Sequence, residues 1–261
     1  MDSETGSRVD LTADRVFVAA GPLGTTRLAL ASLEAYGETV SLADSCYFLL
    51  PLLRYRGHRG AAREPTHTLA QAFLELLDPR VSPYTVHLQV YTYNDLFRAA
   101  LRNALGPADT ALGGLVEAVG LSRLVLLQGY LHSDESPSID VRLRREPHGA
   151  PVLELTARPR PSTRRTLSAV TSKLRNLRGV LRAVPVAPLL RVGKPGRGFH
   201  SGATLPMRAR PGRLETDTLG RPGGDGRVHL VDSTVLPSIP ATTVTLSVMA
   251  NAHRIGREVM A

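Results

Sequence analysis

Short apolar runs that end at glycine or proline recur along the chain, and most of them predict strands. Residues 15–21 (RVFVAAG) indicate a buried strand that runs into a turn, because β-branched residues are followed by a glycine. Residues 24–33 predict the helix that follows, since their threonines can cap free amides. Residues 40–53 are too apolar for a loop, but Pro51 breaks any long helix, so their secondary structure stays open.

The middle of the chain alternates apolar and polar positions. In residues 85–93 the apolar Val86, Leu88 and Val90 alternate with polar or aromatic neighbours, which is the period of a half-buried strand. Further strands are predicted at 123–132, 138–144 and 151–157, and helices at 68–77 and 94–105. Turn-rich segments separate the strands, so we expect an antiparallel meander.

Residues 162–184 predict an amphipathic basic helix, with apolar side chains spaced three and four residues apart. Such a helix could lie on a membrane or partner surface, or it could face the core with a solvated cationic side. The apolar stripe is narrow and contains no tryptophan or phenylalanine. We therefore favour the core-facing interpretation.

The last third of the chain has an irregular segment followed by a predicted strand and a predicted helix. Residues 191–227 are rich in glycine, proline and arginine and predict a surface loop, which contains His200. Residues 228–232 predict a strand, and residues 242–260 predict a final helix.

Composition narrows the possible partners. The net charge of +9 comes almost entirely from arginine, since the chain has only two lysines, and this is typical of a GC-rich genome. Basic residues do not alternate with stacking aromatics, so we expect no nucleic-acid partner. Cys46 is the only cysteine, so no intrachain disulfide can form, and we expect a reducing compartment. We interpret Cys46 as a small buried hydrophobic residue rather than as a reactive thiol. No apolar run reaches the roughly 18 to 20 residues that span a bilayer, so we expect a soluble cytoplasmic protein that does not bind membranes.

Three ordered segments resemble the glucose-methanol-choline (GMC) oxidoreductases. Residues 229–255 (HLVDSTVLPSIPATTVTLSVMANAHRI) resemble the closing signature of the family, in which a strand, a proline-bearing turn and a long helix follow one another. Residues 199–207 (FHSGATLPM) are similar to its His-x-x-Gly-Thr-x-x-Met segment, and residues 16–28 (VFVAAGPLGTTRL) to its Ala-Gly-Ala-x-Gly-Thr turn.

The resemblance implies an α+β fold that corresponds to the carboxy-terminal part of the family. It implies that 1–39 and 228–261 are the remnant of an FAD-binding α/β domain, that 40–190 form an antiparallel substrate domain, and that 191–227 carry the catalytic loop. The Gly-x-Gly-x-x-Gly fingerprint that holds the ADP part of FAD is absent from the sequence. We therefore expect a truncated protein, one part of a split enzyme, or a domain that lost its cofactor.

The resemblance also implies a set of site residues. A neutral imidazole suits proton removal from an alcohol near neutral pH, and His200 is the candidate base. The family places a histidine or an asparagine where Thr243 stands, and threonine is a poor base, so the partner of His200 is weaker here. The implied cofactor contacts, with no metal ligand among them, are Gly21, Asp232, Ser233, Thr243, Val244 and Thr245. The free amides at the start of the last helix would stabilise a reduced flavin.

The sequence thus predicts a flavoprotein that uses FAD to oxidise a CH–OH group of an alcohol, sugar or polyol, with a separate nucleotide-binding chain as one candidate partner. The alternative is a non-catalytic remnant or substrate-binding module without flavin. A third hypothesis is a membrane-surface protein that binds through the helix at 162–184.

Overall fold

The computed structural model describes residues 10–58, 69–92, 122–224 and 226–261. These residues form four α-helices and three sheets, one parallel and two antiparallel, which confirms the predicted α+β class. The strands are β1 (Val16–Val18), β2 (Thr39–Asp44), β3 (Tyr47–Arg54), β4 (Ala72–Leu76), β5 (Val86–Tyr91), β6 (Leu124–Tyr130), β7 (Ser138–Arg144), β8 (Val152–Arg158), β9 (Ala183–Pro185), β10 (Arg191–Val192), β11 (Ser201–Gly202) and β12 (Val228–Leu230). The helices are α1 (Pro22–Ser32), α2 (Pro161–Asn176), α3 (Arg178–Leu181) and α4 (Thr245–Met260).

The larger antiparallel sheet has six strands, in the order β10-β3-β6-β5-β4, with β9 also paired to β3. Its core face is apolar and packs against α2, where Phe48, Leu88 and Leu127 are fully buried. Leu167, Val170 and Leu174 of α2 are buried in the same cluster. The core-facing interpretation of the basic helix is therefore confirmed, although the helix ends at Asn176 and the short α3 follows it.

Two predictions for this sheet change with the structure. The undecided residues 40–53 form β2 and β3, and Pro51 is accommodated in the strand opposite Leu126. The helix predicted at 68–77 is wrong, because residues 72–76 form β4, which pairs in register with β5 and alternates its side chains between the two sheet faces. The helix predicted at 94–105 lies outside the described residues.

The smaller antiparallel sheet has the order β11-β2-β7-β8. Its apolar side packs on α1 through a buried cluster that includes Leu30, Leu42 and Val141. The predicted meander is only partly correct, because β5 pairs with β6 and β7 pairs with β8, but β6 and β7 belong to different sheets. A 3-10 turn at Ser133–Glu135 carries the chain from one sheet to the other.

The third sheet is a parallel pair, in which β1 lies beside β12 with Val16 opposite Val228. The two strands come from opposite ends of the described chain, and α1 follows directly after β1. Leu205, Leu230 and Val235 form a small core with Ala29 of α1 beneath the pair. The carboxyl ends of both strands therefore meet at one edge of the molecule.

Candidate active site

The face of the six-stranded sheet that points away from α2 carries polar and aromatic side chains. On β5 these are His87, Gln89 and Tyr91, which alternate with the core residues of the same strand. Gln89 stands opposite Gln128 of β6, and the Tyr91 hydroxyl donates a hydrogen bond to the Gln89 amide oxygen at 2.9 Å. This face is partly polar, and no helix of the described residues covers it. Such a face is suited to binding a ligand.

One row of side chains crosses this face from strand to strand. Glu75, His87, Tyr130 and Tyr47 stand in register on β4, β5, β6 and β3. His87 Nδ1 lies 2.6 Å from the Glu75 carboxylate, and the His87 ring stacks against Phe73 at 5.3 Å between centroids. Since a carboxylate only accepts hydrogen bonds, Nδ1 of His87 carries the proton.

His200 lies at the end of this row. Its ring centroid is 5.2 Å from that of Tyr130, and Tyr130 is in turn 6.3 Å from His87. The His200 carbonyl accepts a hydrogen bond from the Ser45 amide at 3.0 Å, which fixes the backbone just before β11. The preceding Phe199 adopts a left-handed φ of 62°, a conformation that non-glycine residues rarely adopt and that clusters at functional sites.

The contacts of His200 favour one tautomer. The Ser45 hydroxyl donates its proton to the Gly198 carbonyl at 3.1 Å, so it can only accept from the His200 ring, whose Nδ1 lies 3.5 Å away. This long contact leaves Nε2 with its lone pair, and Nε2 forms no hydrogen bond within the described ranges. Nε2 is thus available to take a proton from a bound molecule.

Burial also favours the neutral imidazole. It lowers the pKa of His200 below its ordinary value, and the nearby His87 acts in the same direction. Burial raises the pKa of Asp44, which lies beside Ser45, against hydrogen bonds from the amides of Gly196 and Gly198. The surroundings of His200 therefore disfavour its cationic form.

A second group of predicted residues lies where β1 and β12 end. Asp232 is buried, and its carboxylate accepts hydrogen bonds from the Thr25 hydroxyl at 2.5 Å and the Thr234 amide at 3.0 Å. Thr25 Oγ1 also accepts from the Ala20 amide at 2.9 Å, so one carboxylate ties the two strand ends together. Gly21 lies in that turn with a φ of 77°, and a Cβ there would meet no atom within 4 Å. The turn therefore has open space beside its backbone.

Ser233 connects this edge to the histidine strand. Its hydroxyl donates to the Ser201 carbonyl at 2.8 Å, and its carbonyl accepts from the Ala203 amide at 2.8 Å. A Cβ at Gly202 would lie 2.3 Å from the Ser233 oxygen, so only glycine allows this approach. The segment that carries His200 is therefore fastened directly to the end of β12.

The residues predicted around the start of the last helix differ in exposure. Thr243 and Thr245 are exposed, whereas Val244 is buried with Leu236 and Ile239. The helix begins at Thr245 rather than at 242, and no side chain caps its first amides. Ala43 packs on this cluster and pairs with Gly202, so the start of α4 lies near the His200 segment. No hydrogen bond or ring contact joins His200 to Thr243 in the described structure.

Other candidate chemistry is limited. Cys46 is buried, and burial together with the nearby Asp44 raises the pKa of its thiol to about 12, which supports the predicted inert role. Among the described residues, no His, Cys, Asp and Glu side chains are grouped to hold a metal ion. In those same parts of the chain, no helix has both the length and the apolar character to cross a membrane.

Sequence reasoning missed most of the residues that surround His200. Glu75 lay in a segment predicted as helix, and Tyr130 and Ser45 belong to no motif. A signal for His87 was present, because the outward positions of β5 carry histidine, glutamine and tyrosine instead of the charged residues typical of a solvated face. Only the pairing of β4, β5 and β6 brings these side chains together.

The arrangement is that of an α+β domain with a polar sheet face, an imidazole at its rim and a parallel strand pair at one edge. Among solved structures, the chain is similar to pyridoxine 4-oxidase from Mesorbium loti, with a TM-score of 0.51 and 15% sequence identity. The match covers 94% of this chain and 51% of that protein, so the chain spans about half of its length. At this identity the likeness shows that the two chains share a fold over that length. No protein-family model and no curated protein matches the sequence.

Proposed function

We propose that the chain is the substrate-facing part of an FAD-dependent oxidoreductase that acts on a CH–OH group of an alcohol, sugar or polyol. The observation that carries this proposal is the His200 imidazole, which lies at the rim of the polar sheet face with Nε2 free and its neutral form favoured by burial. A neutral imidazole in this setting can accept the proton of a substrate hydroxyl as the hydride leaves the neighbouring carbon.

Two features at the ends of β1 and β12 support the proposal that a flavin ring binds there. Gly21 leaves open space beside the backbone, and the uncapped amides at the start of α4 present positive potential next to the exposed Thr243 and Thr245. The side chains of Asp232 and Ser233 hold this edge together and would approach the cofactor through the turn that they form. FAD, when bound, would supply the hydride acceptor.

We further propose that a nucleotide-binding domain covers the parallel pair, with 1–39 and 228–261 completing it. Parallel sheets usually have both faces covered, yet Val16 is 44% and Phe17 42% exposed. On α4, Leu246 and Met249 are 79% and 63% exposed. A separate chain that supplies such a domain would bury these apolar side chains and add strands beside β1.

Purification of the chain from its own cells, followed by an absorbance spectrum, tests this function. We expect the visible band of oxidised flavin, and we expect an alcohol substrate to bleach it anaerobically. A preparation without the band that also fails to take up added FAD would favour the alternative, a substrate-binding module without redox chemistry.

Replacing the proposed base tests its role directly. In the flavin-loaded protein, His200→Asn should slow bleaching by about 100-fold or more, because general-base catalysis contributes on that order, while the flavin band is retained. His148→Asn is the matched control, since His148 is exposed in the turn between β7 and β8 and should leave the rate unchanged. A parental rate in the His200 variant would remove His200 from the mechanism.

A further inference from the structure

The positive charge of the chain is concentrated in one segment. Residues 155–214 contain 14 lysines and arginines and no aspartate or glutamate, whereas the rest of the chain has 18 basic and 23 acidic residues. Arginine-rich composition alone would not remove every acidic residue from this segment. The segment forms α2, α3 and the strands that follow, so one region of the fold is cationic and the remainder is acidic on balance.

A cleft of about 780 Å³ lies within this cationic region, between α2 and residues 187–195. Its volume is in the range of sites that hold small organic molecules. One face of α2 lines it through Arg164, Leu167, Ser168, Ser172 and Arg175, which are spaced as neighbours on a helix surface. The lining combines apolar side chains with three arginines, Arg160, Arg164 and Arg175.

Two of the arginines that line the cleft have no acidic partner within the described structure. Arg164 and Arg175 form no ion pair there, and no aspartate or glutamate lines the cleft. Lys173 on another side of α2 behaves differently, because its ammonium lies 2.7 Å from the Asp78 carboxylate. The charge of Lys173 is thus paired, whereas the charges of Arg164 and Arg175 remain available to a molecule in the cleft.

We propose that this cleft binds an organic anion, in which a phosphate or carboxylate group is attached to an apolar body. The two arginines stand eleven residues apart on α2, about 16 Å along the helix axis, so one of them would hold the anion through charge-assisted hydrogen bonds with a serine one turn away, either Arg164 with Ser168 or Arg175 with Ser172. The apolar body would cover Leu190 and Val192 at the opposite wall. This site is independent of the proposed flavin chemistry.

Calorimetric titration of the full chain with hexyl phosphate tests the proposal. Inorganic phosphate, which lacks the apolar body, and hexanol, which lacks the charge, should each bind at least about tenfold more weakly than hexyl phosphate. The double substitution R164Q/R175Q should lower the affinity for hexyl phosphate by about tenfold or more, since it removes the charge-assisted contact at whichever end of the cleft the phosphate binds. Equal affinity for all three probes, or no saturable binding, would overturn the proposal.

The matched control is R165Q/R178Q, which removes the same charge from the same basic segment but from residues outside the cleft lining. It should change the affinity by no more than about twofold, the effect expected of screened surface charge. Equal losses in the two double variants would mean that the segment attracts anions without a site, and would also overturn the proposal. Ser168→Glu, which adds a carboxylate inside the cleft, provides a second variant that should abolish binding.

Co-sedimentation with vesicles distinguishes the two sources of such an anion. Sedimentation with phosphatidylglycerol but not phosphatidylcholine, lost in R164Q/R175Q and kept in R165Q/R178Q, would identify a lipid headgroup. Hexyl phosphate binding without sedimentation would identify a free molecule. Both results would support the proposal that the cleft binds an organic anion.

Discussion

The two faces of the six-stranded sheet are built from the same strands but differ in the side chains that they carry. Towards α2, alternate residues such as Leu88 and Leu127 are fully buried in one apolar cluster. Towards the other side, their immediate neighbours His87 and Gln128 join a network of hydrogen bonds and ring contacts that extends to His200. Because adjacent residues of a strand point to opposite faces, one residue stabilises the core while the next belongs to the polar face.

The comparison also explains why the polar face can be held rigid. The Glu75–His87 pair and the rings of Tyr130 and Tyr47 lie over strands whose opposite side is anchored in the core. Side chains that position a reactive group are most accurate when they are carried by such elements. We therefore expect substitutions on the two faces to separate into effects on stability and effects on the site.

Adjacent substitutions on β6 should show this separation most strongly. Leu127→Ala should lower the free energy of unfolding by about 2 to 5 kcal/mol, because it opens a cavity in the core cluster. Gln128→Ala, one residue on, should cost about 1 kcal/mol or less, since it loses only a hydrogen bond to the Tyr130 hydroxyl. Urea unfolding measures both. Equal losses would mean that the polar face is part of the stabilising core.

Substitution of a glycine on the core side of β6 should lower the free energy of unfolding by less than Leu127→Ala does. A Cβ at Gly129 would lie 2.1 Å from the ring of Phe48, which is fully buried and has little room to move. Gly129→Ala should therefore cost about 1 to 3 kcal/mol through overpacking, as measured by thermal or urea unfolding.

Gly179→Ala is the control for this substitution. A Cβ at Gly179 meets no atom within 4 Å, and the residue lies in α3, so alanine should be neutral or add up to about 1 kcal/mol. If Gly129→Ala were as stable as Gly179→Ala, the packing of Phe48 against β6 would be looser than the structure has it.

Much of the fold could be predicted from sequence, because period-two patterns such as those of β5 and β7 specify strands locally. The failure at β4 is instructive, since residues 72–76 become a strand only through pairing with β5. The His200 motif marked a candidate base, but the residues that contact its ring, Ser45 in the turn between β2 and β3 and Tyr130 on β6, are distant in sequence. Such partners depend on register and sheet order, which local sequence does not encode.

The smallest expected effect concerns the protonation of His200 itself. Ser45 and Tyr130 contact its ring, and His87 with its Glu75 partner faces it across Tyr130. NMR titration of its imidazole in the intact chain should give a pKa below the ordinary value, chiefly because of burial. His87→Gln should move this pKa upward without restoring the ordinary value, since burial remains. His132→Gln, a substitution of another partly buried histidine, should leave it unchanged.

The same shift has a consequence for stability. Between the lowered pKa and the ordinary value, the unfolded chain binds more protons at His200 than the folded chain does. The contribution of His200 to stability is therefore fully present above the ordinary value and is lost as the pH falls through the lowered one. His200→Gln should flatten this part of the unfolding profile, while His132 keeps its own dependence in the same direction. A native pKa at or above the ordinary value would show that the ring is solvated, and the polar face would then lack the dry, neutral base on which the proposed oxidation depends.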